Sequence, residues 1–496
     1  MTIRSHRFFS RRPSTGSVSS IWCVAERLEQ RRLLSNTVQV QISPTITTVS
    51  AEELHNLPVS MKLSDLTGML TFTGNNLADQ TIGKQVNVTG NITDVSASFS
   101  NTTPASSFVA SSKASDVLLD GFTSTGPMKL IDLRPLQANG NVQMVAAPRI
   151  FVGDGMNASF NVTQNVPLAN FTGGSFTNSQ FNFTAPNSSL GTNLLLKFNN
   201  VTDTRLNVSP YIKSLSLGSF TASSPGSGGI AANSAGTISV ASNYKADFTF
   251  KPTLGLKYTM GNFRAGGTAS GNWNVPGTTG FASAGLFDSG FRGNFGSLAG
   301  LKVGKDFDGS LTTGSLGVGS IGGSMNGASM DFTNPFAANS WNLGSLKIAN
   351  SINNSTITSS GNLGNINTMF TFGSKITAGV APSYTFGQPL SSSDYTSWST
   401  IKSFVSDCKS HHLMHYGGSY VGAYFMPSVH LGNIVSNNFG NPFGLAGFRF
   451  DKFSFLDNGK TINLTGITST SAYNAGLQSN GVTAQQLGDF KVLLPN

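Results

Sequence analysis

The residues most suited to binding a metal ion lie close together near position 410 of this 496-residue chain. Cysteine and histidine are side chains that zinc prefers as ligands. On a helix, positions three, four and seven residues apart share one face. The sequence therefore raises zinc binding as a hypothesis. A hydrogen-bonded packing cluster is the alternative, since there is no second ligand group and no H-E-x-x-H motif. The candidate ligands are Cys408, His411, His412 and His415.

Carboxylates that could act as an acid and a base are sparse and scattered along the chain. Asp306 and Asp308 form one close pair, and on a strand two residues so spaced share a face. Both also fit turn positions. A nucleophilic serine in a G-x-S-x-G elbow is missing as well. The sequence therefore favours a protein without a catalytic site and without a cofactor.

The composition indicates which elements hold these residues. Charged residues make up 11% of the chain, against about 25% in an ordinary soluble domain. The chain contains 56 glycines and 36 phenylalanines, so it can bury an apolar core while forming many turns. Glycine, serine and asparagine are poor in helix interiors and good in turns. This balance predicts an all-β fold of short strands.

Apolar residues recur four positions apart, with small or polar residues between them. Because those intervening residues disfavour a helix, the pattern predicts inward-facing positions joined by tight turns in a right-handed parallel β-helix. A β-sandwich or a propeller is the alternative. The groups are Val152, Met156 and Phe160; Val240, Tyr244 and Phe248; Ala265, Ala269 and Trp273; Val303, Phe307 and Leu311; and Ile348, Ile352 and Ile357.

A second signal is a glycine followed by a polar and then an apolar residue. The intervals between such steps predict coils of about 20 residues and a rod on the order of 70–80 Å long. The steps begin at Gly218, Gly236, Gly261, Gly296, Gly344 and Gly364.

Three regions follow from these patterns. Residues 1–35 form a basic leader, and residues 36–150 form an N-terminal β region or solenoid cap. Within the cap, the stretch SAEELHNL from Ser50 predicts a short helix with a serine N-cap. Residues 151–496 form the solenoid, with one helical insertion at about 388–430 whose helix spans about 394–412.

The positive charge is concentrated in the leader. Of the formal net charge of +9, seven arginines and two glutamates within residues 1–35 supply more than half. A nucleic-acid-binding domain carries its basic residues on the folded part, so the sequence argues against nucleic acid as a partner. No run of 18 apolar residues occurs, so no transmembrane span is expected.

The stretch LEQRRLL at the end of the leader resembles the L-E-P-R-x-L-L sorting signal of exported planctomycete-type proteins. Gln30 stands where that family has proline, and Ser35 fits the small residue that follows the signal. The resemblance implies export and recognition by a sorting machinery. The matching residues are Leu28, Glu29, Arg31, Leu33 and Leu34.

The expected function is that of an exported structural or adhesive surface protein, a non-catalytic repetitive rod. Cell-envelope components or polysaccharide are the expected partners beyond the sorting machinery. The alternative is an extracellular carbohydrate-active β-helix protein, either a lyase- or hydrolase-like enzyme or a carbohydrate-binding rod that uses Tyr244, Trp273 or Trp341.

Overall fold

A parallel β-solenoid of about 14 turns makes up the folded chain, with 66% strand and 3% helix. The predicted β-helix is confirmed, and the sandwich and propeller alternatives are wrong. The structure is a computed structural model that describes residues 35–52, 58–112, 117–164, 166–185, 193–251, 256–334, 341–379, 425–434, 436–457 and 459–494.

The first six strands pair mainly antiparallel and cover the N-terminal end of the solenoid. β1 and β5 both pair antiparallel with β4, and β3 pairs antiparallel with β2 and β6. Ser50, Ala51 and Glu52 lie in β2, so the predicted helix start with Ser50 as N-cap is wrong, because the cross-strand pairing with β3 overrides the local capping pattern. Residues 53–57 of that stretch lie outside the described residues. The strands are β1 Ser35–Ile42, β2 Thr48–Glu52, β3 Pro58–Ser64, β4 Thr67–Ile82, β5 Gln85–Ser100 and β6 Ser107–Ser112.

Within the first six strands β2 also pairs parallel with β5, and continuous parallel pairing through the body starts where β5 and β6 pair with the next two strands. The strands are β7 Leu118–Ser124, β8 Leu130–Leu133, β9 Gln137–Val145, β10 Arg149–Val152, β11 Gly155–Met156, β12 Ser159–Thr163, β13 Leu168–Thr172, β14 Phe176–Thr177, β15 Gln180–Thr184, β16 Asn193–Thr202, β17 Arg205–Val208, β18 Tyr211–Thr221, β19 Gly229–Ala232, β20 Ala235–Val240, β21 Tyr244–Lys245, β22 Asp247–Phe250, β23 Met260–Ala265, β24 Thr268–Ala284, β25 Leu286–Val303, β26 Ser310–Thr313, β27 Leu316–Ile321, β28 Met325–Asn326, β29 Ser329–Phe332, β30 Leu343–Ile348, β31 Ser351–Asn353, β32 Thr356–Ser359, β33 Leu363–Asn367, β34 Phe370–Phe372, β35 Lys375–Ala378, β36 Phe425–Met426, β37 Val429–Ile434 and β38 Phe443–Ala446.

These strands form three parallel ladders along the solenoid. The first ladder includes β10, β13, β20, β23, β27 and β30; the second includes β11, β14, β21, β28 and β31; the third includes β12, β15, β17, β19, β22, β26 and β29. The long strands β24 and β25 run through all three. Coil length is uneven, because the inter-coil partners Asp306 and Ser324 are 18 residues apart while Ser324 and Ser351 are 27 apart.

Aromatic and aliphatic side chains stack inside the solenoid. The Phe160 and Phe181 rings lie parallel on successive coils, with centroids 4.5 Å apart. This distance matches the spacing of about 4.8 Å between neighbouring strands, so each coil buries its apolar face against the next. The inward column of the third ladder runs through Val142, Phe160, Phe181, Leu206, Ile230, Phe248 and Trp273.

The apolar groups spaced by four residues are core positions, with one exception. All of their members are buried except Met156, which is 51% exposed. Gly155 takes the inward-facing position instead, because the Phe176 ring on the next coil fills the space that a side chain would need there. A Cβ at Gly155 would lie 2.5 Å from that ring. The prediction for Met156 is therefore wrong.

Four of the glycine steps fall on one column at the start of strands in the first ladder. A Cβ at Gly364 would lie 1.9 Å from the carbonyl oxygen of Gly344, and one at Gly344 would lie 2.3 Å from that of Gly317. Close approach of the neighbouring backbone therefore requires glycine at these positions. The other two steps, at Gly218 and Gly296, lie outside this column.

A hairpin and one helix form the C-terminal end. β39 pairs antiparallel with β40, and β41 returns to pair parallel with β38. The helix α1 begins after Ser469, whose hydroxyl accepts a hydrogen bond from Ala472 N, and it buries Tyr473 and Leu477. The elements are β39 Arg449–Asp457, β40 Lys460–Ile467, α1 Thr470–Ser479 and β41 Phe490–Leu493.

The predicted insertion helix at about 394–412 lies outside the described residues, as does the leader through residue 34. Strand structure resumes at Phe425, within the range of about 388–430 given to the insertion.

Truncating one stacked ring tests the role of the core. Phe181 also packs against Phe176 and Phe198, with centroids 4.8 and 5.1 Å away. We expect Phe181→Ala to lower the free energy of unfolding by about 3–5 kcal/mol, measured by urea denaturation, because it leaves a cavity between coils. The control is Phe439→Ala, at a side chain 86% exposed, which should change it by less than about 0.5 kcal/mol. Equal effects of the two substitutions would contradict the stacked core.

Candidate functional site

Two of the sequence-based hypotheses concern residues outside the described part of the chain. The sorting-signal residues Leu28, Glu29, Arg31, Leu33 and Leu34 precede residue 35, and Cys408, His411, His412 and His415 fall within 380–424. Both hypotheses stay predictions. Within the described ranges, no three cysteine, histidine, aspartate or glutamate side chains converge to hold a metal ion.

Asp306 and Asp308 flank the buried Phe307 on the second ladder. Asp306 Oδ1 accepts a hydrogen bond from Ser324 N at 2.6 Å, and Asp308 Oδ1 accepts one from the Asn326 side-chain amide at 3.1 Å. Both donors lie on the following coil. Each carboxylate therefore joins two coils, and the two acids lie on either side of a position that bridges to both neighbouring coils.

The same use of aspartate recurs along the solenoid. In each case a side-chain oxygen accepts a hydrogen bond from a backbone N–H on the next coil, at 2.6 to 2.8 Å. The acceptors are Asp154, Asp203, Asp247 and Asp306, and the donors are Ser175, Ser223, Asn272 and Ser324. Because a carboxylate is charged, it forms stronger hydrogen bonds with these otherwise unpaired turn amides than a neutral acceptor would. The acids thus stabilise coil stacking.

The outer face of the third ladder carries a row of asparagines. The side-chain amide of Asn182 donates to Asn161 Oδ1 at 2.9 Å, and that of Asn207 donates to Asn182 Oδ1 at 2.8 Å. Asn294 donates to Asn274 in the same way. This row is not predicted from the sequence, because the coil register that aligns these residues is not visible in their spacing.

A shallow depression of about 160 Å³ interrupts this face where β19 presents Gly229 and Ala231. Arg205 and Asp247 stand on either side of it. Arg205 Nη2 donates to the Gly226 carbonyl at 2.8 Å, and Asp247 Oδ1 accepts from Asn272 N at 2.8 Å. The depression is smaller than the roughly 300–1,000 Å³ of small-molecule sites, and both charges are engaged by backbone. It offers no built ligand pocket.

Two of the three aromatic residues considered for sugar binding are core residues. Tyr244 and Trp273 are fully buried, and their rings pack edge to face at 5.6 Å. Burial raises the pKa of the Tyr244 hydroxyl well above its usual value of 10.0, with the nearby Asp247 as a second cause. Trp341 is 38% exposed, so it is the only one of the three at the surface.

A line of basic side chains that the sequence did not predict runs along the outer face of the first ladder. We call it the basic row; it comprises Lys197, Arg264, Lys302 and Lys347, all exposed. The residues share one column in the strand register, with serines on the coils between them. Only that register reveals the alignment, since the bases are separated by unequal lengths of chain.

Comparisons with protein families, with curated proteins and with solved structures find no match to this chain. Among the described helices, none is long and apolar enough to cross a membrane.

The acid dependence of stability tests the structural role of the aspartates. Hydrogen bonds from Ser223 N and the Ser227 hydroxyl hold the pKa of Asp203 below its usual value of 3.8. A lowered folded-state pKa adds stability above the ordinary pKa, and that stability is lost as the pH falls through the folded-state value. We therefore expect Asp203→Asn to lower the unfolding temperature at neutral pH and to have little effect in strong acid.

The matched control is Asp79→Asn, at an exposed aspartate outside the inter-coil set. Its difference from the wild-type protein should be small at every pH. A pH-independent effect of Asp203→Asn would contradict the charged turn acceptor.

Proposed function

We propose that this protein is an exported structural or adhesive surface protein, a rod without catalytic activity. One observation carries the proposal: along the solenoid, aspartates accept hydrogen bonds from the next coil instead of converging around a cleft. Glycoside hydrolases need carboxylates that are free to exchange protons with a substrate. Here the acids hold the scaffold together.

The dimensions of the solenoid suit a surface role. About 14 turns at a spacing of about 4.8 Å give a rod of roughly 65–70 Å. Equivalent side chains repeat along its faces, as in the asparagine row. A regular array of this kind suits contact with an extended partner through many weak interactions, whose combined strength grows with their number.

Export is proposed from the leader alone. The stretch from Leu28 to Leu34 resembles a sorting signal, so we propose that a sorting machinery recognises it and that the rod lies outside the cell. Cell-envelope components or polysaccharide are the proposed partners, and nucleic acid is not.

The enzyme alternative has one observation in its favour. The bridge between Phe287 and Phe307 places the backbones of Asp288 and Asp308 side by side on successive coils, about 4.8 Å apart. A neighbouring pair of carboxyl groups is what glycoside hydrolases use as acid and base or nucleophile. However, Asp288 Oδ1 accepts from Gly290 N at 2.9 Å, and its other oxygen lies 4.0 Å from Lys245 Nζ.

Deletion and rescue in the native host distinguish the two functions. We expect deletion of the gene to reduce attachment of cells to surfaces, and the wild-type gene to restore it. The double variant Asp288→Asn with Asp308→Asn should restore attachment equally, because a structural rod needs no acid–base pair. Protease treatment of intact cells should release the protein, with a mature N-terminus near Ser35.

Normal attachment of the deletion strain would contradict the adhesive function. Failure of the double variant, with surface display and folding intact, would favour the enzyme. Retention of the wild-type protein in the cytoplasm with Met1 intact would contradict export.

A further inference from the structure

The basic row has a regular interval along the solenoid axis. Arg264, Lys302 and Lys347 occupy alternate coils, with Ser283 and Ser320 between them. At about 4.8 Å per coil, neighbouring charges of this group are about 10 Å apart. Lys197 continues the row three coils earlier, beyond Ser216 and Ser239.

Within the described part of the chain, no acid forms an ion pair with the row. The adjacent outward column of the same ladder also carries no acid; it runs through Ser214, Thr237, Asn262, Phe281, Gly300, Val318 and Ser345. None of the four bases forms an ion pair with a described residue, whereas Lys245 on the second ladder lies 4.0 Å from Asp288. The row is therefore an exposed line of positive charge in a chain of low charge content.

An exposed aromatic ring lies beside this line. Phe281 is 55% exposed, and its ring covers Gly300 on the next coil, where a Cβ would lie 2.1 Å from a ring carbon. Glycine at position 300 thus lets the ring lie close against the backbone. Phe281 is two residues before Ser283, so the ring sits next to the stretch of the row between Arg264 and Lys302.

On the other side of the row, the surface is formed by turns that contain glycine. The turns that follow these strands carry Gly266, Gly285, Gly304 and Gly322, each stacked near the backbone of the preceding coil. These four glycines have no side chain to rise beside the row at that edge. An extended polymer can therefore lie along the axis and contact bases, serines and the ring together.

We propose that the first ladder binds a linear acidic polysaccharide along the basic row, and this proposal rests on the proposed function of an adhesive rod. A chain in which acidic and neutral sugars alternate carries one negative charge per disaccharide, an interval similar to that of the row. The intervening serines can hydrogen-bond sugar hydroxyls, and the Phe281 ring can stack on the apolar face of a sugar ring.

The charge interval argues against a nucleic acid as the occupant. A DNA strand carries one phosphate per 3.4 Å along the duplex axis. A row with about 10 Å between charges would leave most of those phosphates unpaired. Among the described residues, the outward column next to the row carries one aromatic ring, Phe281, whereas single-stranded nucleic acid stacks on a series of rings.

Binding of hyaluronan to the purified full-length protein tests the proposal, since its uronic acids alternate with neutral sugars. We expect binding that weakens with salt, and no binding of neutral dextran. The variant Arg264→Gln, Lys302→Gln, Lys347→Gln should lower the affinity roughly tenfold to a hundredfold at low salt. The matched control Lys62→Gln, Lys84→Gln, Lys251→Gln removes the same charge elsewhere and should change it little.

The aromatic contact is tested separately. Phe281→Ala should weaken hyaluronan binding several-fold, while Phe439→Ala should leave it unchanged. The proposal would be overturned if the basic-row variant and the control variant lost hyaluronan affinity equally. Tighter binding of single-stranded DNA than of hyaluronan would also overturn it. If the basic-row variant loses hyaluronan binding in vitro yet restores cell attachment, the protein is still an adhesive rod but the basic row is not the surface that attaches. If deletion of the gene does not affect attachment, the proposed function itself is wrong.

Discussion

The stacking of each coil on the previous one in register is the interaction on which the rest of this structure depends. Strand neighbours must stay about 4.8 Å apart, so every position in a coil meets an equivalent position above and below. Inward positions take residues such as Phe160 and Phe181, whose rings stack at that distance. Gly344 and Gly364 follow from the same constraint, since a neighbouring carbonyl fills the place of a side chain.

In-register stacking also governs where charges can lie. Two like charges on adjacent coils, about 4.8 Å apart, repel by about 1 kcal/mol in water, and at about 10 Å by less than half of that after screening. The basic row places serines between Arg264, Lys302 and Lys347, which keeps this cost low. Aspartates such as Asp203 instead receive hydrogen bonds from backbone amides of the next coil. Low charge content and localised charge are thus both consequences of the fold.

The sequence predicted the fold because core positions and turns leave local patterns. Val240, Tyr244 and Phe248 carry the four-residue spacing of inward positions, and all three are buried. Prediction failed where a residue on another coil decides the conformation. Met156 points outward because a ring from the next coil fills the inward space, and Ser50 is in a strand because β3 pairs with it. The basic row could not be predicted for the same reason, since coils of 18 to 27 residues hide the register.

Distances between spin labels along one column test the stacking in register most directly. In a background with Cys23 and Cys408 replaced by serine, labels at Ser216 and Ser320 lie five coils apart, and labels at Thr172 and Ser320 lie seven coils apart. Stacking in register predicts backbone separations of about 24 Å and about 34 Å, in proportion to the number of coils. Equal distances for the two pairs, or a shorter distance for the second pair, would contradict it.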